Sequence, residues 1–159
     1  MLESAAMKTS IPAAALGCLL AARSALAALG GDASTVEADR VRMKAAAVTT
    51  SAGTLYTVHA MQTPAGMTVR EFANADGIVF AVTWRGPFAP DLRQTLGAYF
   101  GKYQAAPRAG RSGHAHDNVE QPDLVVRSSG HLRAFSGSAY VPQLVPGGVV
   151  VEQLLQDAP

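Results

Sequence analysis

Between Asp76-Gly77 and Gly86-Pro87 the chain runs Ile-Val-Phe-Ala-Val-Thr-Trp-Arg, and this stretch constrains the fold more than any other. Asp-Gly provides the positive-φ positions of a tight hairpin, and Gly-Pro ends the run because proline has no N–H to give a ladder. Alternation places Ile78, Phe80, Val82 and Trp84 on one side, with Thr83 and Arg85 on the other. A strand so apolar on one side needs neighbouring strands and a covering layer. Residues 54–62 and 67–74 are rich in β-formers and are separated by Thr63-Pro64-Ala65-Gly66, so a three-stranded antiparallel meander is expected.

The cover is expected from residues 90–106. Pro90-Asp91 opens a helix and Pro107 blocks its continuation. Leu92, Leu96, Tyr99, Phe100 and Tyr103 fall on one helical face, which suits a helix lying on a sheet; the alternative is a groove for a cofactor or partner. Gly97 and Gly101 lower helix propensity, and a close approach to another backbone would compensate. Residues 106–122 are polar, glycine-rich and aperiodic, and read as a mobile loop.

A second hairpin is expected from 123–127 and 131–135 across Ser128-Ser129-Gly130, with 138–141 as a further strand. Residues 149–155, after Pro146-Gly147-Gly148, suit a short helix or a strand. Near the front, Ser34 or Thr35 can cap a short helix over 36–47. The fold class is therefore α+β: an antiparallel sheet, made of a three-stranded meander and a second hairpin, covered on one face by one amphipathic helix. The expected organisation is a lead-in over 28–53, a single domain over 54–146 and a C-terminal tail over 147–159.

Residues 1–27 read as a cleavable secretory signal, helical in form. Lys8 gives the basic start, residues 11–22 the apolar stretch, and Ala25-Leu26-Ala27 the small-x-small cleavage site. Arg23 interrupts the stretch before it reaches membrane-spanning length, so no stable span is expected after cleavage. Localisation is then periplasmic or secreted, by the general secretory route. The cut also changes the chemistry of what remains. Of 159 residues, 132 are left; Lys8, Arg23 and Glu3 depart, so 13 basic and 12 acidic residues become 11 and 11. A neutral domain gives no electrostatic case for nucleic acid. Cys18, the only cysteine, leaves too, which excludes disulfides and cysteine catalysis from the mature chain.

The chain carries no phosphate-binding loop, no dinucleotide fingerprint and no H-E-x-x-H. Gly110-Arg111-Ser112-Gly113 falls one residue short of a nucleophile elbow. Glu71, Asp76 and Asp91 read as strand-surface, turn and helix-start residues. No catalytic residue or cofactor is assigned. His114, His116 and Asp117 are metal candidates by spacing, against a solvated polar loop as the simpler reading. Trp84, Arg85 and Phe88 form an aromatic corner that can serve as a binding hot spot, although the alternation of Trp84 with Val82 and Phe80 equally suits a core anchor.

Several segments resemble a bacterial family of exported proteins of unknown function (DUF2844). They include Ala28-Leu29-Gly30-Gly31, Tyr56-Thr57-Val58-His59, Val69-Arg70-Glu71-Phe72, and residues 77–87 in full. Asp91-Leu92-Arg93-Gln94, Leu96-Gly97-Ala98-Tyr99-Phe100, Asp123-Leu124-Val125-Val126 and Gly130-His131-Leu132-Arg133-Ala134-Phe135 complete the likeness, which spans nearly all of 28–146. The resemblance implies an exported domain and transfers no catalytic residue. The sequence thus points to a non-enzymatic domain that binds an envelope protein or a small ligand. Two alternatives stand beside it: an envelope hydrolase using His59 or His131 with a carboxylate and a hydroxyl, and a metal-binding protein working through the His114/His116 loop.

Overall fold

The computed structural model describes residues 28–107 and 116–156, so the expected signal segment lies outside the described residues. The strands are β1 (Val48–Ala52), β2 (Thr57–Gln62), β3 (Thr68–Ala73), β4 (Val79–Gly86), β5 (His116–Gln121), β6 (Leu124–His131) and β7 (Ala134–Tyr140). They form one antiparallel sheet in the order β1-β2-β3-β4-β7-β6-β5. Two meanders therefore meet along β4 and β7. The helices are α1 (Val36–Met43), α2 (Leu92–Leu96), α3 (Phe100–Ala105) and α4 (Val151–Gln156), and the class is α+β.

Each meander forms for a local reason. Gly77, at φ 77°, makes the β3–β4 turn, and Gly66, at φ 82°, makes the β2–β3 turn. Asn74 Oδ1 accepts from the Ile78 N–H at 2.9 Å and so closes the first of these turns. β1 extends the expected three strands by one, pairing Val48 with Met61 and Ala52 with Thr57. Its Val-Thr-Thr-Ser-Ala sequence lacks an apolar alternation because, as an exposed edge, it buries almost nothing. β5 likewise occupies the second part of the stretch expected to be a loop.

The second hairpin turns at Leu132-Arg133, not at Ser128-Ser129-Gly130. The serines and glycine look like a turn by composition but are strand positions. Gly130 is small because the Phe135 ring lies where its Cβ would be. Gly137 on β7 is small for the same reason, with the Trp84 ring against it.

One face of the sheet carries Met61, Val69, Val82, Trp84, Val119, Leu124, Val126 and Ala139, packed beneath Leu29, Val36, Leu96 and Tyr103. A bulge between Phe72 and Ala73 inserts one extra residue in β4 opposite them. It turns Phe80 to the opposite face, away from Val82 and Trp84. There Phe80, Phe72 and Ala81 meet Leu154 of α4, with Tyr56, Tyr140 and Val149 around them.

The expected long helix over 90–106 is two short helices joined by a 3-10 turn at Gly97–Tyr99. Asp91 caps α2, accepting from the Arg93 N–H at 2.9 Å. Gly97 has a positive φ and sits against Ala28 Cβ, which accounts for one of the two glycines; nothing approaches Gly101 within 4 Å. The apolar stripe does cover the sheet, with Leu96 and Tyr103 buried. At α1, Thr35 makes no side-chain cap; Asp32 instead caps the preceding turn through the Ser34 N–H.

Candidate functional site

The face that receives α4 is divided in two, and the division follows from register. Where Phe72, Ala81 and Tyr140 pair across β3, β4 and β7, the face is apolar and closed by the C-terminal segment. Two residues along each strand the character changes. Arg70 pairs with Thr83, Thr83 with Ser138, and Ser138 with Arg127. In the next row Thr68 pairs with Arg85, Arg85 with Ser136, and Ser136 with Ser129. Alternation directs all of these side chains to the same side. The result is a grid of three guanidiniums interleaved with hydroxyls.

Two of those hydroxyls are deep in the protein: Thr83 is 4% exposed and Ser138 8%. Both stand in central strands, where a β-branched apolar residue would pack equally well. Ser129 Oγ and Ser136 Oγ lie 3.2 Å apart. A cavity of about 160 Å³ opens here, lined by Thr68, Arg70, Thr83, Arg85 and Ser136, with Leu155 of α4 at its border. Trp84 touches it through backbone, since its ring belongs to the other face. A shallower hollow of about 350 Å³ shares Ser136 and Gly137 with the first and continues past Ser138 and Arg127. Glu120 approaches the grid from its margin and pairs with Arg127 at 3.0 Å, both side chains being solvent-exposed. Arg85 forms no ion pair among the described residues.

The residues singled out in sequence separate from one another. Trp84 is 2% exposed and anchors the core; Arg85 is exposed and borders the cavity. Phe88 is 56% exposed and belongs to a different, apolar hollow with Met43, Pro64, Met67 and Pro90. They do not make one surface. The Tyr99–Tyr103 stripe, buried or half-buried against the sheet, offers none either. His114 lies outside the described residues, as does the side chain of His116. Asp117 accepts a hydrogen bond from the Tyr103 hydroxyl, which ties it to α3. No group of three or more potential metal ligands occurs among the described residues.

His59 and His131 lie four strands apart in the sheet order and cannot share a site. His59 does meet a hydroxyl and a carboxyl. Its Nδ1 is 3.2 Å from Thr50 Oγ1, and Glu71 stands opposite it in register. The chemistry is wrong for hydrolysis, however. Glu71 is 2% exposed, contrary to its appearance as a strand-surface residue, and its Oε2 has no hydrogen-bond partner. Burial, reinforced by the nearby Asp39 carboxylate, pushes its pKa up to about 9. Burial also lowers His59. A protonated Glu71 carries no charge to stabilise an imidazolium, which a hydroxyl–histidine–carboxylate relay requires. Asp39, equally buried, is held by Arg42 at 3.0 Å. This cluster lies between α1 and β3. None of the cavities described above is lined by it.

The grid is not legible in the sequence, for a physical reason. Each strand shows its polar residues two apart, but only the non-local pairing of β4 with β7 assembles them. No helix among the described residues is long and apolar enough to cross a membrane. No curated protein and no solved structure shows a significant match to the chain. Residues 25–154, which include every described strand and all of the grid, match one family profile, and the chain accordingly belongs to the family described as protein of unknown function (DUF2844).

Proposed function

We propose that this is an exported, non-enzymatic binding domain that takes an envelope partner or ligand on the open, polar half of its sheet. The observation that carries this reading is the grid itself. A face needed only for solubility would mix lysine, glutamate and aspartate freely. Here three arginines and five hydroxyls occupy two adjacent rows, with Glu120 beside Arg127 at the margin and Asp117 among the residues lining the second hollow. Buried Thr83 lines the first hollow and buried Ser138 the second, so neither sits within a packed layer. Arginine and hydroxyl groups are also the residue types that fix polar ligands by directed hydrogen bonds.

Export is argued from the leader alone: the basic start, the apolar stretch and the small-x-small site before Ala28. Neutrality of the mature chain does not weaken the binding reading, because net charge hides how charge is distributed.

The test has two arms. The full chain, tagged at its C-terminus and expressed in a bacterium with two membranes, should appear in the periplasm or medium with Ala28 as its first residue. Retention in the cytoplasm with Met1 intact would overturn export. Cross-linking in the native envelope should give adducts with wild type that disappear in Arg85→Glu. Identical adducts in both would overturn the assignment of this face.

A further inference from the structure

We infer that the outer edge of β1 is a self-association surface, where two copies of this chain pair antiparallel about Thr50 and merge their sheets. β1 and β5 are the two edges of the sheet, and a sheet edge is a row of main-chain donors and acceptors open to another strand. Proteins ordinarily guard such edges with charges, proline or a bulge. β5 is guarded, since Asp117 and Glu120 stand on it and alternation sets them on opposite sides. β1 is not. It carries no charge, proline or glycine, it pairs with β2 in an unbroken register, and Thr49, Thr50, Ser51 and Ala52 are all exposed. The lack of charge extends well beyond the strand. From Ala45 to Val69 the sequence holds no Asp, Glu, Lys or Arg, in a stretch that includes β1, its hairpin and β2.

Register decides what the edge can accept. The Gly53 N–H donates to the Tyr56 carbonyl at 2.8 Å, which makes these two a hydrogen-bonded pair. By alternation Thr49 and Ser51 direct their main-chain groups at β2, while Val48, Thr50 and Ala52 direct theirs outward. An antiparallel copy centred on Thr50 bonds Thr50 to Thr50, Val48 to Ala52 and Ala52 to Val48, so every outward group finds a partner. Between these pairs Thr49 faces Ser51 of the second copy, and hydroxyl pairs of this kind favour strand pairing. The five residues are thus complementary to themselves under a two-fold axis, and the contact closes at two copies. Docking β1 of one copy on β5 of the next would instead leave edges free to grow, and would set Asp117 and Glu120 in the contact. The axis runs perpendicular to the sheet, so the arginine-lined troughs of the two copies open on the same side. The binding proposed above then becomes bivalent, although the pairing itself does not depend on it.

Sedimentation velocity of the purified chain over a wide concentration range tests this. A single pair of short edge strands is a small interface, so wild type should pass from monomer to dimer at roughly 10 µM and stop there. Thr50→Lys sets like charges opposite each other on the axis and should weaken the dimer roughly five- to tenfold. The Thr50 side chain is exposed, so this variant should melt as the wild-type monomer does. A second variant reads the geometry without relying on repulsion. In a Cys18→Ser background, Thr50→Cys puts one thiol per chain on the axis, with the paired Cα atoms about 5.5 Å apart and so within disulfide reach. It should cross-link under mild oxidation, whereas Asn118→Cys, exposed on the opposite edge, should not. A wild type that stays monomeric throughout would leave the edge to an extended segment of another protein and overturn the inference. Masses beyond the dimer would do the same, as would equal dimerisation of Thr50→Lys or cross-linking of Asn118→Cys as fast as Thr50→Cys.

Discussion

Glu71 is the residue whose surroundings differ most from what its neighbours in sequence suggest. Val69 and Phe72 lie on opposite sides of β3, so the strand's pattern does not say which side is wet, and Glu71 falls beside Val69 in the core. Its pKa stands near 9 in the folded protein against an ordinary 4.5. A group raised in this way stabilises fully below its unfolded value. The stability is lost as pH rises from about 4.5 to about 9, because the unfolded chain releases the proton and the folded chain keeps it. By pH 7 the loss amounts to about 3 kcal/mol. Glu71→Gln retains the neutral shape without that proton. The melting temperature of wild type should therefore fall between mildly acid and mildly alkaline buffer, while the variant should stay nearly level and exceed wild type on the alkaline side. Parallel curves for the two proteins would mean that Glu71 is ionised in the fold. His59, lowered by burial, acts in the opposite sense, removing stability as pH falls through the imidazole range.

At the scale of elements, turns with glycine were legible in sequence and the turn without it was not. Asp76-Gly77 and Pro64-Ala65-Gly66 turn where their composition says they should. The β6–β7 turn instead uses Leu132, 94% exposed, and Arg133 at φ 62°. Arginine in the left-handed region costs on the order of 1 kcal/mol, which glycine avoids. Arg133→Gly should thus raise the urea midpoint slightly without altering the slope, and a lower midpoint would show that the Arg133 side chain contributes more than its backbone costs. The glycines inside the strands behave oppositely. Gly137→Ala would press a methyl group into the Trp84 ring and the Arg127 carbonyl. A loss of about 1–3 kcal/mol is expected from such overpacking, seen as a lower midpoint at unchanged slope. Serine and glycine at 128–130 have the composition of a turn, and composition cannot distinguish a residue that bends the chain from one that makes room for a ring.

Over the whole molecule, the face covered by α1 and α3 is readable from Val82 and Trp84 of β4, whereas on the other face the apolar half needs the bulge that turns Phe80 onto it and the polar half needs β4 to meet β7 across more than fifty residues of chain. The C-terminal segment links the two halves. α4 has six residues, too few to be a stable helix by itself, so its place is fixed by Val151 and Leu154 packing rather than by propensity. Leu154 closes the cluster of Phe72, Phe80 and Ala81, and the next residue, Leu155, borders the arginine trough. Stability and site are consequently coupled through one short element. Deleting residues 147–159 should leave the opposite face, under α1 and α3, packed as before but open the Phe72–Phe80 cluster to water. The expected result is binding of a hydrophobic dye together with a broadened, earlier melt. Leu154→Ala, a milder version, should cost about 2–5 kcal/mol, whereas Leu155→Ala, at a half-buried residue packed on the same cluster and bordering the trough, should cost less and change the trough as well. A truncated protein that melts as sharply as the full chain and binds no dye would show that the sheet holds its second cluster without the cap, and would remove the coupling.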